Sequence, residues 1–207
     1  MGQITWREVT VAWARPSEQH EFTAADVAAM GQGQLDRFRE LSGDRARGFL
    51  AGRALVRTLV QSIRGSGEVL IDSRCDRCGG EHGRPRTAEV SLSVSHAGDL
   101  VVVAATAGVV SLGVDVEAEV AAGRVSELGS LFPERGAPDL AGWTRVEAAV
   151  KADGRGFEID PSAVVLHDGP RDVHPRVWSA VLPGRATPID VVTVSGPPGH
   201  VLSVALG

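Results

Sequence analysis

Residues 109–117 read VVSLGVDVE. Val110, Leu112, Val114 and Val116 alternate with Ser111, Gly113, Asp115 and Glu117, the period-two pattern of a half-buried strand. One face of that strand is wholly apolar. The other carries Asp115 and Glu117 two residues apart, so both carboxylates leave on the same side. Like charges so placed repel, and a cation or a proton between them relieves the cost. A hard cation such as Mg²⁺ does this with only a few protein carboxylates, leaving positions for water and phosphate oxygens. The plainer reading is a strand end wetted by two acids.

Outward from this strand, residues 143–154 read WTRVEAAVKADG and predict a helix stopped by Gly154. Trp143, Glu147 and Lys151 fall at i, i+4 and i+8, on one face. Glu147 offers a third carboxylate, and Lys151 stands one turn beyond it. Three carboxylates and one ammonium suit a Mg²⁺–phosphate site; the alternative is a surface Glu–Lys pair worth about 0.2–0.5 kcal/mol. Lys151 is the single lysine among 21 basic side chains, the rest being arginine. A lone lysine among arginines marks a place that needs a compact ammonium, able to fit beside a phosphate or to move a proton.

The remaining composition sets limits. The chain has 207 residues, 43% of them hydrophobic, enough for one domain or two small ones. Aromatics are 4% and tyrosine is absent, so Ala, Val and Leu must fill the interior. Net charge is −5, and the excess lies in one half: residues 1–105 carry 13 basic and 13 acidic side chains, residues 106–207 carry 8 and 13. That balance argues against general nucleic-acid binding. No apolar run is long enough to span a bilayer, and the opening MGQITWREV lacks a basic-then-apolar signal pattern. A cytoplasmic protein is expected.

Along the chain, Ile4–Ala14 alternates as an opening strand. Thr23–Glu40 reads as a helical region capped at Thr23, with Asp26 three residues on, and interrupted by Gly31 and Gly33. Ser42–Ile63 is a long helix with wide apolar cover, closed by Gly65–Gly67. Arg53, Arg57 and Arg64 share a face, and Arg57 and Arg64 read as a solvated basic stripe. Val69–Asp72, Val90–Ser95 and Leu100–Ala105 are expected strands, the last continuously apolar and so central. Ala121–Phe132 is an expected helix ended by Pro133. Strands are expected over Ala163–Leu166, Arg176–Leu182, Ile189–Ser195 and Val201–Leu206, with GPPG at Gly196–Gly199 as a tight connection.

Three further motifs bear chemistry. Cys75, Cys78 and His82 form C-x-x-C-x-x-x-H, soft ligands at zinc-like spacing. A structural zinc takes four ligands and no other cysteine exists, so a cysteine-bearing turn with free thiols is the favoured reading. Gly83-Arg84-Pro85 fixes a turn that aims Arg84. Ser93-Val-Ser95-His96 ends a strand, with His96 at its tip as a candidate phosphate donor.

In order and spacing, GRP at Gly83–Pro85, SVSH at Ser93–His96, GVDVE at Gly113–Glu117 and W-x-x-x-E-x-x-x-K at Trp143–Lys151 resemble the motifs of the Sfp-type 4'-phosphopantetheinyl transferases. The resemblance runs from about Arg45 to Gly156. It implies an α+β pseudodimer of two similar halves, each a long helix packed on a small antiparallel sheet, with the site between them. On that basis the halves are 1–106 and 107–207, and the protein is a monomer. The implied reaction moves the 4'-phosphopantetheine arm of coenzyme A onto a serine of an acyl or peptidyl carrier protein. By resemblance, Asp115, Glu117 and Glu147 hold Mg²⁺. Glu147 is also the base for the carrier serine, and Lys151 neutralises and protonates the leaving phosphate. Ser95 and His96 grip the 3'-phosphate of coenzyme A, and Arg53 and Arg84 line the nucleotide and phosphate channel. Trp143 packs the helix. Two departures stand out. The family's lysine before the helix Glu is here Val146, with Arg145 about 100° away around the helix. The basic residues before the first long helix are replaced by GQGQ, then Arg37 and Arg39. If position 146 faces the phosphates, Val146→Lys is expected to tighten coenzyme A binding. Val146 also favours the alternative, a catalytically weakened coenzyme A-binding relative with a regulatory or scaffold role.

Overall fold

The computed structural model describes residues 1–18, 21–127, 129, 132, 136–170 and 174–207. The chain is α+β, with two antiparallel sheets. It divides into two compact units, Met1–Val109 and Val110–Gly207, where the motif order suggested a division at 106/107. Among the described residues, no helix is long and apolar enough to cross a membrane.

The first unit contains β1 (Gly2–Trp6), β2 (Val9–Ala14), α1 (Ala24–Ala29), α2 (Gln32–Arg39), α3 (Gly43–Arg64), β3 (Val90–Ala97) and β4 (Leu100–Ala107). Its sheet runs β1-β2-β4-β3. β4 lies inside the sheet, as its apolar run requires. Helix α3 lays Ala51, Leu55 and Leu59 into one core with Leu92, Val101, Val103 and Ala105 of the sheet. Gly52 faces Val101 of β4 in this contact.

Three expectations for this unit are corrected. Ile4–Ala14 is a hairpin and not one strand: β1 and β2 pair from Gly2↔Trp13 to Trp6↔Val9. Its turn uses Arg7 and Glu8, with Arg7 at φ 51° and its guanidinium 4.7 Å from the Trp6 ring centre. No glycine or asparagine marks that reversal, so the pattern ran through it unseen. Gly31 divides α1 from α2, but Gly33 lies inside α2. The Glu81 carboxylate lies beside it; a Cβ at Gly33 would be 2.4 Å from Glu81 Cδ, the far end of a side chain that can turn aside. Val69–Asp72 forms no strand; only Asp72 pairs, with Arg86. Thr23 caps α1 in a full capping box with Asp26, as its spacing predicts.

The second unit contains β5 (Leu112–Ala118), α4 (Ala122–Glu127), α5 (Leu140–Asp153), β6 (Val165–Asp168), β7 (Val177–Val181), β8 (Ile189–Val194) and β9 (His200–Leu206), with sheet order β5-β9-β8-β7-β6. Of the expected helix over Ala121–Phe132, the described part is a 3-10 turn at Glu119–Ala121 followed by α4; residues 128, 130, 131 and 133 lie outside the described residues. Ala163 belongs to a 3-10 turn, so β6 starts at Val165. Helix α5 packs Val146, Ala149 and Val150 against Ile189, Val191 and Ala205 of the sheet.

The half-buried strand expected at 109–117 is covered on both faces. Leu112, Gly113, Val114, Asp115 and Val116 are all buried. The face bearing Gly113 and Asp115 lies under α5, and the contact at Gly113 is backbone to backbone. A Cβ there would fall 1.9 Å from the Ala148 carbonyl oxygen and 2.6 Å from the Ala152 nitrogen. Gly113→Ala must therefore push α5 off β5. We expect it to cost about 3 kcal/mol, the upper range for overpacking. Urea unfolding of wild type and variant would measure this, and an unchanged midpoint would mean the helix does not rest there.

Candidate functional site

The predicted helix forms because its ends are well signalled. Asp139 accepts a 2.6 Å hydrogen bond from the Gly142 backbone at the N-terminus. Gly154 closes the other end in the left-handed conformation, φ 88°. With Gly113 as the crossing point, Lys151 reaches β5. Its Nζ donates to Asp115 Oδ1 at 2.6 Å, and the Asp115 side chain is only 7% exposed. Beside Asp115 stands the one lysine of the chain.

Glu147 lies partly buried one turn before Lys151. Burial pushes its carboxyl above the usual range; Asp115 and then Glu117 add repulsion, and Lys151 opposes it. Two segments that are more than twenty residues apart in sequence thus bring Asp115, Glu117, Glu147 and Lys151 within electrostatic reach. The arrangement offers hard oxygen donors, a base with a raised pKa and an ammonium. Trp143 is packed edge-on to Phe132, ring centres 6.4 Å apart, in the packing role expected of it.

Val146 does not face this cluster. It is 3% exposed and belongs to the apolar core under α5. The expected gain in coenzyme A affinity from Val146→Lys therefore loses its premise. Arg145 does not stand in for the missing lysine either. Its Nε donates to Thr193 Oγ1 at 2.9 Å, and its guanidinium stacks 4.4 Å from the Trp178 ring centre. Arg176 approaches the same ring at 5.1 Å. Thr193 continues through Ser203, at 3.0 Å, to Thr144, at 2.8 Å. This buried hydroxyl chain ties α5 to β8 and β9, and sequence reasoning missed it. Thr144 and Ser203 carry no spacing signal; only burial distinguishes them.

In the first unit the predicted residues separate. Arg53 is buried. Its Nε donates to Gln34 Oε1 at 2.6 Å, and its guanidinium lies 4.3 Å from the Phe49 ring centre. Burial, with Arg37 nearby, lowers it to about 10. Gln34 in turn donates to Ser73 Oγ at 3.1 Å. Arg53 thus braces α2, α3 and the segment at Ser73, while the two arginines expected as a solvated stripe on α3 remain accessible and each has an acidic partner. Arg57 pairs with Asp26 at 2.7 Å and stacks on Phe22; Arg64 pairs with Glu89 at 3.5 Å.

Arg84 is half-buried, and its Nε donates to the Leu92 carbonyl of β3 at 3.1 Å. Burial lowers its pKa, and Arg86 adds to the effect. Ser95 and His96 follow one another on β3, so their side chains leave on opposite faces. His96 shares the face on which Val90, Leu92 and Val94 meet α3. It is exposed, and its ring lies 3.9 Å from where a Cβ on Gly48 would stand. Ser95 is 5% exposed on the other face. The two side chains do not form one grip.

Cys75, Cys78 and His82 do come together. Their ligand atoms all lie within 4.8 Å of one another, and Cys78 Sγ is 2.9 Å from His82 Nε2. The backbone N–H groups of Cys78 and Arg77 donate to Cys75 Sγ and hold its thiol below the usual range.

No family model matches the chain, and no curated protein matches it.

Proposed function

We propose that the chain is a 4'-phosphopantetheinyl transferase, which moves the 4'-phosphopantetheine arm of coenzyme A onto a serine of an acyl or peptidyl carrier protein. The observation that carries this reading is the meeting of Lys151 with Asp115 at 2.6 Å, beside a Glu147 whose carboxyl is raised by burial, Asp115 and Glu117. A lone lysine and three carboxylates from a strand and a helix form the set that the family motifs supply. The pseudodimeric fold, a cytoplasmic location and a monomeric state belong to the same proposal.

The residues fit Mg²⁺. Asp115, Glu117 and Glu147 are hard oxygen donors, and Glu147 is raised by burial first and then by Asp115. They would hold the ion, which when bound supplies neutralisation of the pyrophosphate of coenzyme A. Glu147 takes the proton of the carrier serine hydroxyl, a task suited to a carboxylate whose basicity burial raises. The serine oxygen attacks the β-phosphorus, and the bond from that phosphorus to the bridging oxygen breaks. The 3'-phosphorylated adenosine nucleotide leaves with a proton from Lys151, whose ammonium Asp115 holds in place. Positioning and charge neutralisation are the main contributions a protein makes to such a transfer. In the first unit, His96 and Arg84 are the side chains this reading assigns to coenzyme A phosphates. Arg53, bonded to Gln34 and Ser73, braces α2 and the segment at Ser73.

The test is intact-mass spectrometry of an apo carrier protein after incubation with this protein, coenzyme A and Mg²⁺. A gain of one phosphopantetheine, lost with EDTA, is expected. No gain with several carriers, from a protein that still binds coenzyme A by calorimetry, selects the second reading, a coenzyme A-binding relative with a regulatory or scaffold role. The commitment of Arg145 to Thr193 and Trp178 favours that second reading, because it removes a cation from the phosphates.

A further inference from the structure

The loop between Ser73 and Gly83 is built more closely than a connecting turn requires. Its neck is closed by Gly83 N–H donating to the Ser73 carbonyl at 2.7 Å, and by the paired bonds of Asp72 and Arg86 at 2.9 and 2.7 Å. Within it, Gly79 N–H donates to the Cys75 carbonyl and Cys75 N–H to the Gly80 carbonyl, each at 2.8 Å. This double turn folds Cys75 and Cys78 to one side and brings His82 back to them. Backbone N–H groups of Arg77 and Cys78 converge on Cys75 Sγ, the arrangement a metal-bound thiolate needs.

We propose that Cys75, Cys78 and His82 bind one zinc ion, with water in the fourth position. Zinc–sulfur and zinc–nitrogen bonds of about 2.3 and 2.0 Å put tetrahedral donor atoms roughly 3.5–3.8 Å apart. The three donors already lie within 4.8 Å of one another, close to that spacing. Two thiolates and an imidazole select zinc over Mg²⁺ or Ca²⁺. Glu81 is not the fourth ligand, because its carboxylate is turned to Gly33 in the first turn of α2. Asp76 is held by Arg86.

The ion acts as a staple. The loop it closes carries Glu81 to the N-terminus of α2, where a carboxylate is favoured. The loop also ends at Arg84, which is bonded to β3, and begins at Ser73, which Gln34 holds. Zinc therefore fixes the position of Arg84, and its binding does not depend on the transferase reading.

The test uses the reduced, full-length protein. Elemental analysis after expression with added zinc should give one zinc per chain. Metal-free protein titrated with Co²⁺ should develop a sulfur-to-cobalt charge-transfer band and the intense visible bands of a four-coordinate ion. Cys75→Ser with Cys78→Ser should abolish both signals, and His82→Ala should weaken Co²⁺ binding at least tenfold. Zinc should slow amide exchange over residues 74–83 at least tenfold. Reduced wild-type protein that holds no zinc and gives no charge-transfer band overturns the proposal. So does zinc retained at full stoichiometry by the double cysteine variant, which would place the ion elsewhere. Should that variant fail to fold, the wild-type cobalt titration still decides.

Discussion

Glu147→Gln is expected to lower phosphopantetheine transfer by about 10²–10⁴-fold, the usual contribution of a positioned base. The protein should nevertheless remain folded and become more stable at neutral pH. The reason is the sign of the Glu147 shift. Its carboxyl is raised in the folded state by burial and by Asp115 and Glu117, against a value of 4.5 without these neighbours. The folded state therefore binds the proton more tightly than the unfolded chain. The stability this contributes is fully present below pH 4.5 and is lost as pH rises through the folded value. Glutamine removes the titration. Thermal melts of the two proteins should thus diverge above pH 4.5, with the variant the more stable, and converge below it. Mg²⁺ should raise the wild-type melting temperature at pH 7 and leave the variant's nearly unchanged. A variant that keeps near-full transfer would remove Glu147 from the chemistry. A variant less stable than wild type at pH 7 would mean its carboxylate is compensated in the folded protein.

Val146→Lys is expected to destabilise the second unit by about 4 kcal/mol or more, since burial displaces a lysine pKa by up to 3–5 units at about 1.4 kcal/mol each. Val146 is packed with Ala149, Val150 and Ile189 and has 3% of its surface exposed. Its β-branched side chain fills the space that a lysine stem and ammonium would have to share with apolar groups. Val146→Ala, which removes only volume, should cost about 2 kcal/mol. Calorimetric unfolding of the three proteins separates the charge from the cavity. Should Val146→Lys melt like wild type and bind coenzyme A more tightly, residue 146 would have to face the phosphates, and the packing of α5 described above would be wrong.

These two neighbours in the sequence show what could be read there and what could not. The period of 3.6 put Glu147 and Lys151 on one face and the period of two put Asp115 and Glu117 on another, and both patterns survive folding. Capping at Thr23 and the stop at Gly154 were legible because they depend on the residue itself and its immediate neighbours. Val146 was not legible as core. Its burial is set by where β8 and β9 run beneath the helix, a long-range fact. The same holds for Arg145, whose reach to Trp178 and Thr193 depends on strands more than thirty residues away. Gly113 read as a strand glycine on a solvated face. It is instead the crossing point of α5, which no period in the sequence reveals. Gly33 looked like a breaker, yet α2 runs through it, with Glu81 from a loop far along the chain beside it. Ser95 and His96 were joined by motif, whereas strand alternation sends their side chains apart. The two cysteines and His82 had ligand spacing without a ligand count; folding supplied the proximity.

One feature of α5 gives the protein an unusual chemical signature. Apart from the α-amine of Met1, Lys151 bears the only primary amine in the sequence, and about a third of its side chain is exposed beside Asp115. An amine-directed acylating reagent therefore has two targets, distinguishable by peptide mass. The extent of acylation at one peptide becomes a direct gauge of occupancy at the carboxylate cluster, with no substrate turnover required and no cysteine to engineer.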